Sequence, residues 1–157
     1  MKLVLTFFLI ALCLSACDNP KNDQDQTGDI LPIEGTWQLI SGTIVENGDT
    51  SVTDYTKNQS MVKIINDTHF SFLSHDLNKG KDSVAVFAAG GGRYTLSGDQ
   101  YTEHLEYCSY REWEGNDFPF TVTIQGDTLT QRGVEKVENL GVERLNIEKY
   151  KKVASDL

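Results

Sequence analysis

The residues able to do chemistry are few: three histidines, one carboxylate in a half-apolar run, a cysteine and three consecutive glycines. His69 and His75 stand six positions apart, and His104 stands four before Cys108. Residues four apart on a strand share a face but lie about 13 Å from each other, at a rise of about 3.3 Å per residue. Zinc ligands converge to about 2.0–2.3 Å from one ion. The spacing therefore points to no metal site. No histidine follows His104, so a haem held from the late strands is not expected, and no cofactor is implied.

Glu103 carries more. It shares a period-2 face with Tyr101, Leu105 and Tyr107, the face expected to point inward. A carboxylate among apolar side chains must find a partner or raise its pKa. It would orient the polar head of a ligand or bond a tyrosine hydroxyl, and a register shifted by one residue would turn it to water. Glu106 falls on the opposite face, which leaves Glu103 without an acid–base counterpart.

The remaining candidates read as structure. Gly90-Gly91-Gly92 lacks the Lys-Ser/Thr and the strand–loop–helix setting of a phosphate loop, so it reads as a strand bend or a loop. Arg111 to Asp117 is an acidic loop with one aromatic, Trp113, read as solvated rather than as a sugar or cation contact. Cys108 has no electropositive setting and no histidine base at catalytic spacing. No catalytic residue is expected, and the chain does not read as an enzyme.

The elements that would position these groups alternate with period two from residue 35 onward. Trp37 and Leu39 alternate with Gln38 and Ile40, and Phe70 and Phe72 with His69 and Ser71. Phe118, Phe120, Val122 and Ile124 alternate with a second face that is almost wholly polar, as a half-buried strand requires. Turn residues separate the runs: Asn66-Asp67-Thr68, Ser97-Gly98-Asp99-Gln100, and Gly126-Asp127, where a leading glycine suits a type II′ hairpin. With Ser83–Ala88 and a final strand from about Arg144 to Val153, eight to nine strands follow in sequence. A short helix is expected across Thr50–Ser60, and Val134, Val137 and Leu140 allow one helical turn; neither is long enough for the core. The fold class is all-β: one antiparallel up-and-down barrel of 8–10 strands, because closure removes the exposed edges of a meander.

Ahead of the strands the composition changes twice. Met1-Lys2 is a short positive start, and Leu3 to Leu14 is apolar apart from Thr6. That run is shorter than the roughly 20 residues a membrane-spanning helix needs and has the length and flanks of a secretory signal. It ends in Leu14-Ser15-Ala16-Cys17, which resembles the lipobox of bacterial lipoproteins. The resemblance implies cleavage before Cys17, a diacylglyceryl group on its thiol and an acyl chain such as palmitate on the new amine. Residues 1–16 are then a signal peptide, 17–33 the lipidated cysteine and an acidic tether, and 34–157 the barrel. The tether is too polar to bury surface that offsets its ordering entropy. With Cys13 and Cys17 spent, Cys108 is the one thiol left, and no internal disulfide can form.

Loss of residues 1–16 removes Lys2 and leaves a chain one unit more acidic than the full-length −9. An acidic domain of this kind excludes nucleic acid as a partner and excludes attachment through anionic lipid alone. The expected partner is the membrane, reached through the lipid. The expected location is the bacterial envelope, at the outer membrane, on its periplasmic face or the cell surface. A monomer is expected.

Gly35-Thr36-Trp37 at the head of the first strand resembles the Gly-x-Trp signature of the calycins, the superfamily of lipocalins and fatty-acid-binding proteins. Asp54-Tyr55-Thr56, Thr68-His69-Phe70, Gly91 to Leu96 and Tyr101 to His104 are similar to lipocalin-like lipoproteins of Bacteroidetes-type bacteria. The resemblance implies that Trp37 plugs one end of the barrel beneath a basic side chain from the last strand. Arg144 is the nearest candidate, with Lys149 or Lys151 in a different register. It also implies a small apolar or amphipathic ligand in the lumen, lined by Phe70, Phe72, Tyr101, Glu103, Leu105, Tyr107, Phe120, Val122 and Ile124. The interval between the first two strands is too short for the helical lid of fatty-acid-binding proteins. A non-catalytic accessory module of an envelope complex, binding through its loops or outer face, is the other reading.

Overall fold

Short turns set the order in which the strands pair. The computed structural model describes residues 31–81 and 85–154. Cys17, most of the expected tether, and Ser83 and Val84 of the expected Ser83–Ala88 strand lie outside them.

The strands are β1 (Gly35–Glu46), β2 (Asp49–Asp54), β3 (Gln59–Ile65), β4 (His69–Asp76), β5 (Phe87–Ser97), β6 (Gln100–Cys108), β7 (Asp117–Gln125), β8 (Thr128–Val137) and β9 (Val142–Lys152). All pairings are antiparallel, and β1 also pairs with β9, so the sheet closes. The circuit β1-β3-β4-β5-β6-β7-β8-β9 is an eight-stranded barrel, with β2 as an extra strand on β1. Among the described residues the helical content is two single turns of 3-10 helix, Arg111–Trp113 and Glu138–Leu140.

The expected helix over Thr50–Ser60 is absent, and the reason is local. Asn47 (φ 52°) and Gly48 (φ 87°) both take the left-handed conformation, the two-residue turn whose twist matches paired strands. The chain therefore doubles back as β2, pairing Glu46 with Asp49 through to Ser41 with Asp54. Gly126, at φ 61°, turns β7 into β8 as its position suggested.

The added hairpin splits the barrel wall. β3 pairs with β1 only over Gly35–Gln38, and beyond that point β2 takes its place beside β1. The Gln38 amide bridges the fork, donating to the Met61 carbonyl at 3.0 Å and the Ser60 hydroxyl at 3.3 Å. Tyr55, just after β2, packs its ring over Gly42.

Away from the fork the lumen is filled. Trp37, Leu39, Ile65, Phe70, Tyr101, Val122, Leu129 and Tyr150 form a buried cluster there, joined by Ile33 from the chain ahead of β1. Each of these strands contributes by strict alternation. The Trp37 indole donates to the Ile33 carbonyl at 2.7 Å, which ties the entering chain across this end. Lys152, opposite Trp37 in the β1–β9 register, holds its ammonium 5.0 Å from the indole ring and donates to the Glu34 carbonyl. Arg144, the expected partner of Trp37, is at the other end of β9. The ladder pairs Trp37 with Lys152 and Val45 with Leu145, and that long-range register decided which cation arrives.

Candidate functional site

One step further along the same inward faces, the side chains turn from apolar to charged. Lys63 precedes Ile65 on β3, Glu103 follows Tyr101 on β6, Gln131 follows Leu129 on β8, and Glu148 precedes Tyr150 on β9. They meet across the lumen. The Lys63 ammonium donates to Glu103 Oε1 at 2.7 Å and Gln131 Oε1 at 3.0 Å, and lies 3.7 Å from Glu148 Oε2. Tyr150 donates to that same Glu148 oxygen at 2.7 Å. The Lys63 ammonium also sits 5.1 Å from the centre of the Tyr150 ring.

Lys63 is only 2% exposed, so its charge survives because of its neighbours. Burial works against the ammonium, but the carboxylates of Glu103 and Glu148 outweigh it and hold the lysine pKa above its ordinary value. Burial likewise pushes the Glu103 pKa up, with Lys63 opposing it. The Tyr150 phenol is raised well above its ordinary value by burial and then by Glu148. The buried Tyr101 hydroxyl makes no hydrogen bond; burial, followed by the field of Glu103, keeps it protonated.

This polar layer is the floor of a cavity of about 400 Å³. Met61, Phe72, Leu105, Phe118 and Phe120 form its apolar wall, and Tyr110, Trp113, Glu135 and Arg144 stand at its upper end. The space exists because two rings lie back against glycines. A β-carbon on Gly90 would meet Phe72 Cζ at 2.6 Å, and one on Gly133 would meet Phe120 Cδ1 at 2.6 Å. Each phenyl ring thus occupies the place of a side chain on the neighbouring strand.

The mouth is organised by one ion pair. Arg144 Nε donates to Glu135 Oε2 at 2.8 Å, and Asn146 Nδ2 donates to Oε1 at 2.7 Å. The guanidinium carbon lies 5.2 Å from the Trp113 ring, which tilts against Phe118 at 5.9 Å. Trp113 is carried by the 3-10 turn of the loop between β6 and β7. Asn116 donates to the Trp113 carbonyl and Glu114 accepts from the Cys108 amide, pinning that loop to the barrel.

Comparisons with family models, with curated proteins and with solved structures found no match. The closed eight-stranded antiparallel barrel is compatible with a calycin-like fold.

Of the residues singled out from sequence, Phe72, Glu103, Leu105 and Phe120 line the cavity. Phe70, Tyr101 and Val122 belong to the packed cluster below, and Ile124 packs against it. Tyr107 is a correction: it is 68% exposed on the outer face. Leu105 pairs with Gly92 but Tyr107 with Gly91, so Glu106 is an extra residue in β6. That bulge inverts the alternation, turning Tyr107 outward and Cys108 toward the cavity. Gly35 and Trp37 head β1 as expected, whereas Arg144 serves the mouth.

Lys63, Gln131, Glu135, Glu148 and Tyr150 were missed. The available signal was Lys63 itself, a lysine in phase with Met61 and Ile65 inside an otherwise apolar run. His104 pairs with Asp117 at 2.7 Å, away from the lumen. Among the described residues no group of three or more His, Cys, Asp or Glu is arranged to hold a metal.

Proposed function

We propose that this chain is a lipid-anchored, lipocalin-like barrel of the bacterial envelope that binds a small amphipathic molecule in its lumen. The cavity of about 400 Å³ carries the reading. Sites for small molecules are typically about 300–1,000 Å³, mostly apolar, with a few placed polar groups. Here Phe72, Leu105, Trp113, Phe118 and Phe120 supply the apolar wall, and Glu103, Gln131 and Glu148 the polar floor. The Leu14-Ser15-Ala16-Cys17 sequence supports the anchor, and the Gly-x-Trp start of β1 supports the lipocalin-like relation. The membrane is then the partner through the lipid on Cys17, and the protein acts as a monomeric carrier rather than an enzyme.

Native mass spectrometry of the full chain, isolated from its own envelope, tests this. A bound mass in the small-molecule range, lost on denaturation, is the expected result. A protein that carries no such mass even after exposure to an envelope extract would overturn it.

A second reading, an accessory module docking through its outer face, has one observation in its favour. Leu73, Phe87 and Tyr107 project from the outer faces of β4, β5 and β6, and all three are exposed. The same mass spectrum weighs the two, because a docking module needs no ligand in its lumen.

A further inference from the structure

The charges around the cavity do not balance, and the imbalance has a location. Two cations, Lys63 and Arg144, face three carboxylates, Glu103, Glu135 and Glu148. At the mouth, Arg144 and Glu135 pair with each other, and both Glu135 oxygens are occupied. The surplus negative charge therefore lies on the floor, where Lys63 alone faces Glu103 and Glu148. Lys63 engages Oε1 of Glu103, and the donor to Glu148 is the Tyr150 hydroxyl, on Oε2. Among the described residues, no hydrogen bond to Glu103 Oε2 or Glu148 Oε1 is formed, and the Tyr101 hydroxyl, which stands near Glu103, makes none. Poorly solvated carboxylates with free oxygens favour a cation or a hydrogen-bond donor and repel an anion.

We propose that the ligand is a small organic ammonium, its nitrogen seated on Glu148 and Glu103 and its apolar body among Phe72, Trp113, Phe118 and Phe120. The inference rests on the reading of this cavity as a ligand site and deepens it. A carboxylate ligand of the fatty-acid kind would bring a further negative charge onto a floor where two carboxylates already share the single cation Lys63. The aromatic wall suits the ammonium as well, because ring faces attract cations within about 6 Å.

Three probes of one shape test the charge: 3-phenylpropylamine, 3-phenylpropanol and 3-phenylpropanoate, titrated at neutral pH into the full chain while Trp113 fluorescence is followed. Trp37, the other tryptophan, is buried at the far end and serves as a constant background. The amine is expected to bind at least about tenfold more tightly than the acid, with the alcohol between them. In Glu148→Gln and, separately, Glu103→Gln, the amine-to-acid ratio is expected to fall to within about threefold. The ratio is the readout, so general weakening of a variant does not mimic the result.

Equal or tighter binding of the acid overturns the ammonium inference and leaves the carrier reading standing. An alcohol that matches the amine does the same, since it means that a proton has cancelled the surplus charge. A ratio unchanged in both variants also removes the assignment. Binding of none of the three defeats the cavity reading together with this one.

Discussion

The two ends of this barrel are built from the same alternating strands and come out opposite. At one end Trp37, Phe70, Tyr101, Leu129 and Tyr150 fill the lumen, and Lys152 covers the indole from outside. At the other, Phe72 and Phe120 lie back on Gly90 and Gly133, the wall forks between β2 and β3, and a cavity remains. Between them lies the charged layer of Lys63, Glu103, Gln131 and Glu148. The difference shows that alternation assigns a residue to the lumen, while side-chain volume at each height decides whether the lumen becomes core or pocket.

The boundary layer is where the comparison breaks most easily. Lys63→Met keeps the volume and removes the charge, leaving Glu103 and Glu148 buried without their cation. Breaking a buried pair in this way typically costs about 3–5 kcal/mol, and urea unfolding at neutral pH should show a loss of that size. The pH dependence has a definite sign. Without Lys63, the Glu103 pKa rises further above its ordinary value of about 4.3. The folded state then holds a proton that the unfolded state has released. The variant's deficit should therefore shrink as pH falls toward the ordinary carboxylate pKa and grow again as pH rises through the folded one. A variant as stable as the parent at neutral pH would mean that Lys63 does not hold the two ends apart.

The contrast between the ends also marks what the sequence could disclose. Local features were legible: the strand runs, the turn at Gly126, the Trp37 start and the inward face of Glu103 all follow from neighbours in the chain. Asn47-Gly48 is equally local and marks a two-residue turn, but the polar composition of Thr50–Ser60 also suits a short helix, and only pairing with β1 decides for the strand. What stayed hidden depends on pairing over long distances. The bulge at Glu106 arises where Gly91 and Gly92 change partners on β5, and it alone moved Tyr107 out of the lumen. The choice of Lys152 over Arg144 follows from the β1–β9 register. The meeting of Lys63, Glu103, Gln131 and Glu148 needs four strands at one height, which no single run records. The lipid anchor is the reverse case, argued wholly from sequence, because Cys17 lies outside the described residues.

A second test closes the cavity from its wall. Gly133→Ala would drive a methyl group against the Pro119 carbonyl and the Phe120 ring. Overpacking of this kind costs about 1–3 kcal/mol, and the ring has only the cavity to move into. Thermal unfolding should show the loss, and titration with 3-phenylpropylamine should show weaker binding. Unimpaired binding in a destabilised variant would mean that Phe120 does not bound the ligand space.

The smallest effect is expected at the sealed end, and its smallness is the point. Lys152→Ala removes the cation over Trp37 and the bond to the Glu34 carbonyl. An exposed cation–π contact is worth about 0.5–1 kcal/mol, so the urea midpoint should fall only slightly. Trp37 remains, still held by its bond to the Ile33 carbonyl, and the packed cluster separates it from the cavity. Distant sites without shared partners act additively to within about 0.5 kcal/mol, so the affinity for 3-phenylpropylamine should stay within about twofold of the parent. A tenfold change would show that sealing one end sets the shape of the other, and the layer at Lys63 would then transmit strain rather than divide the lumen.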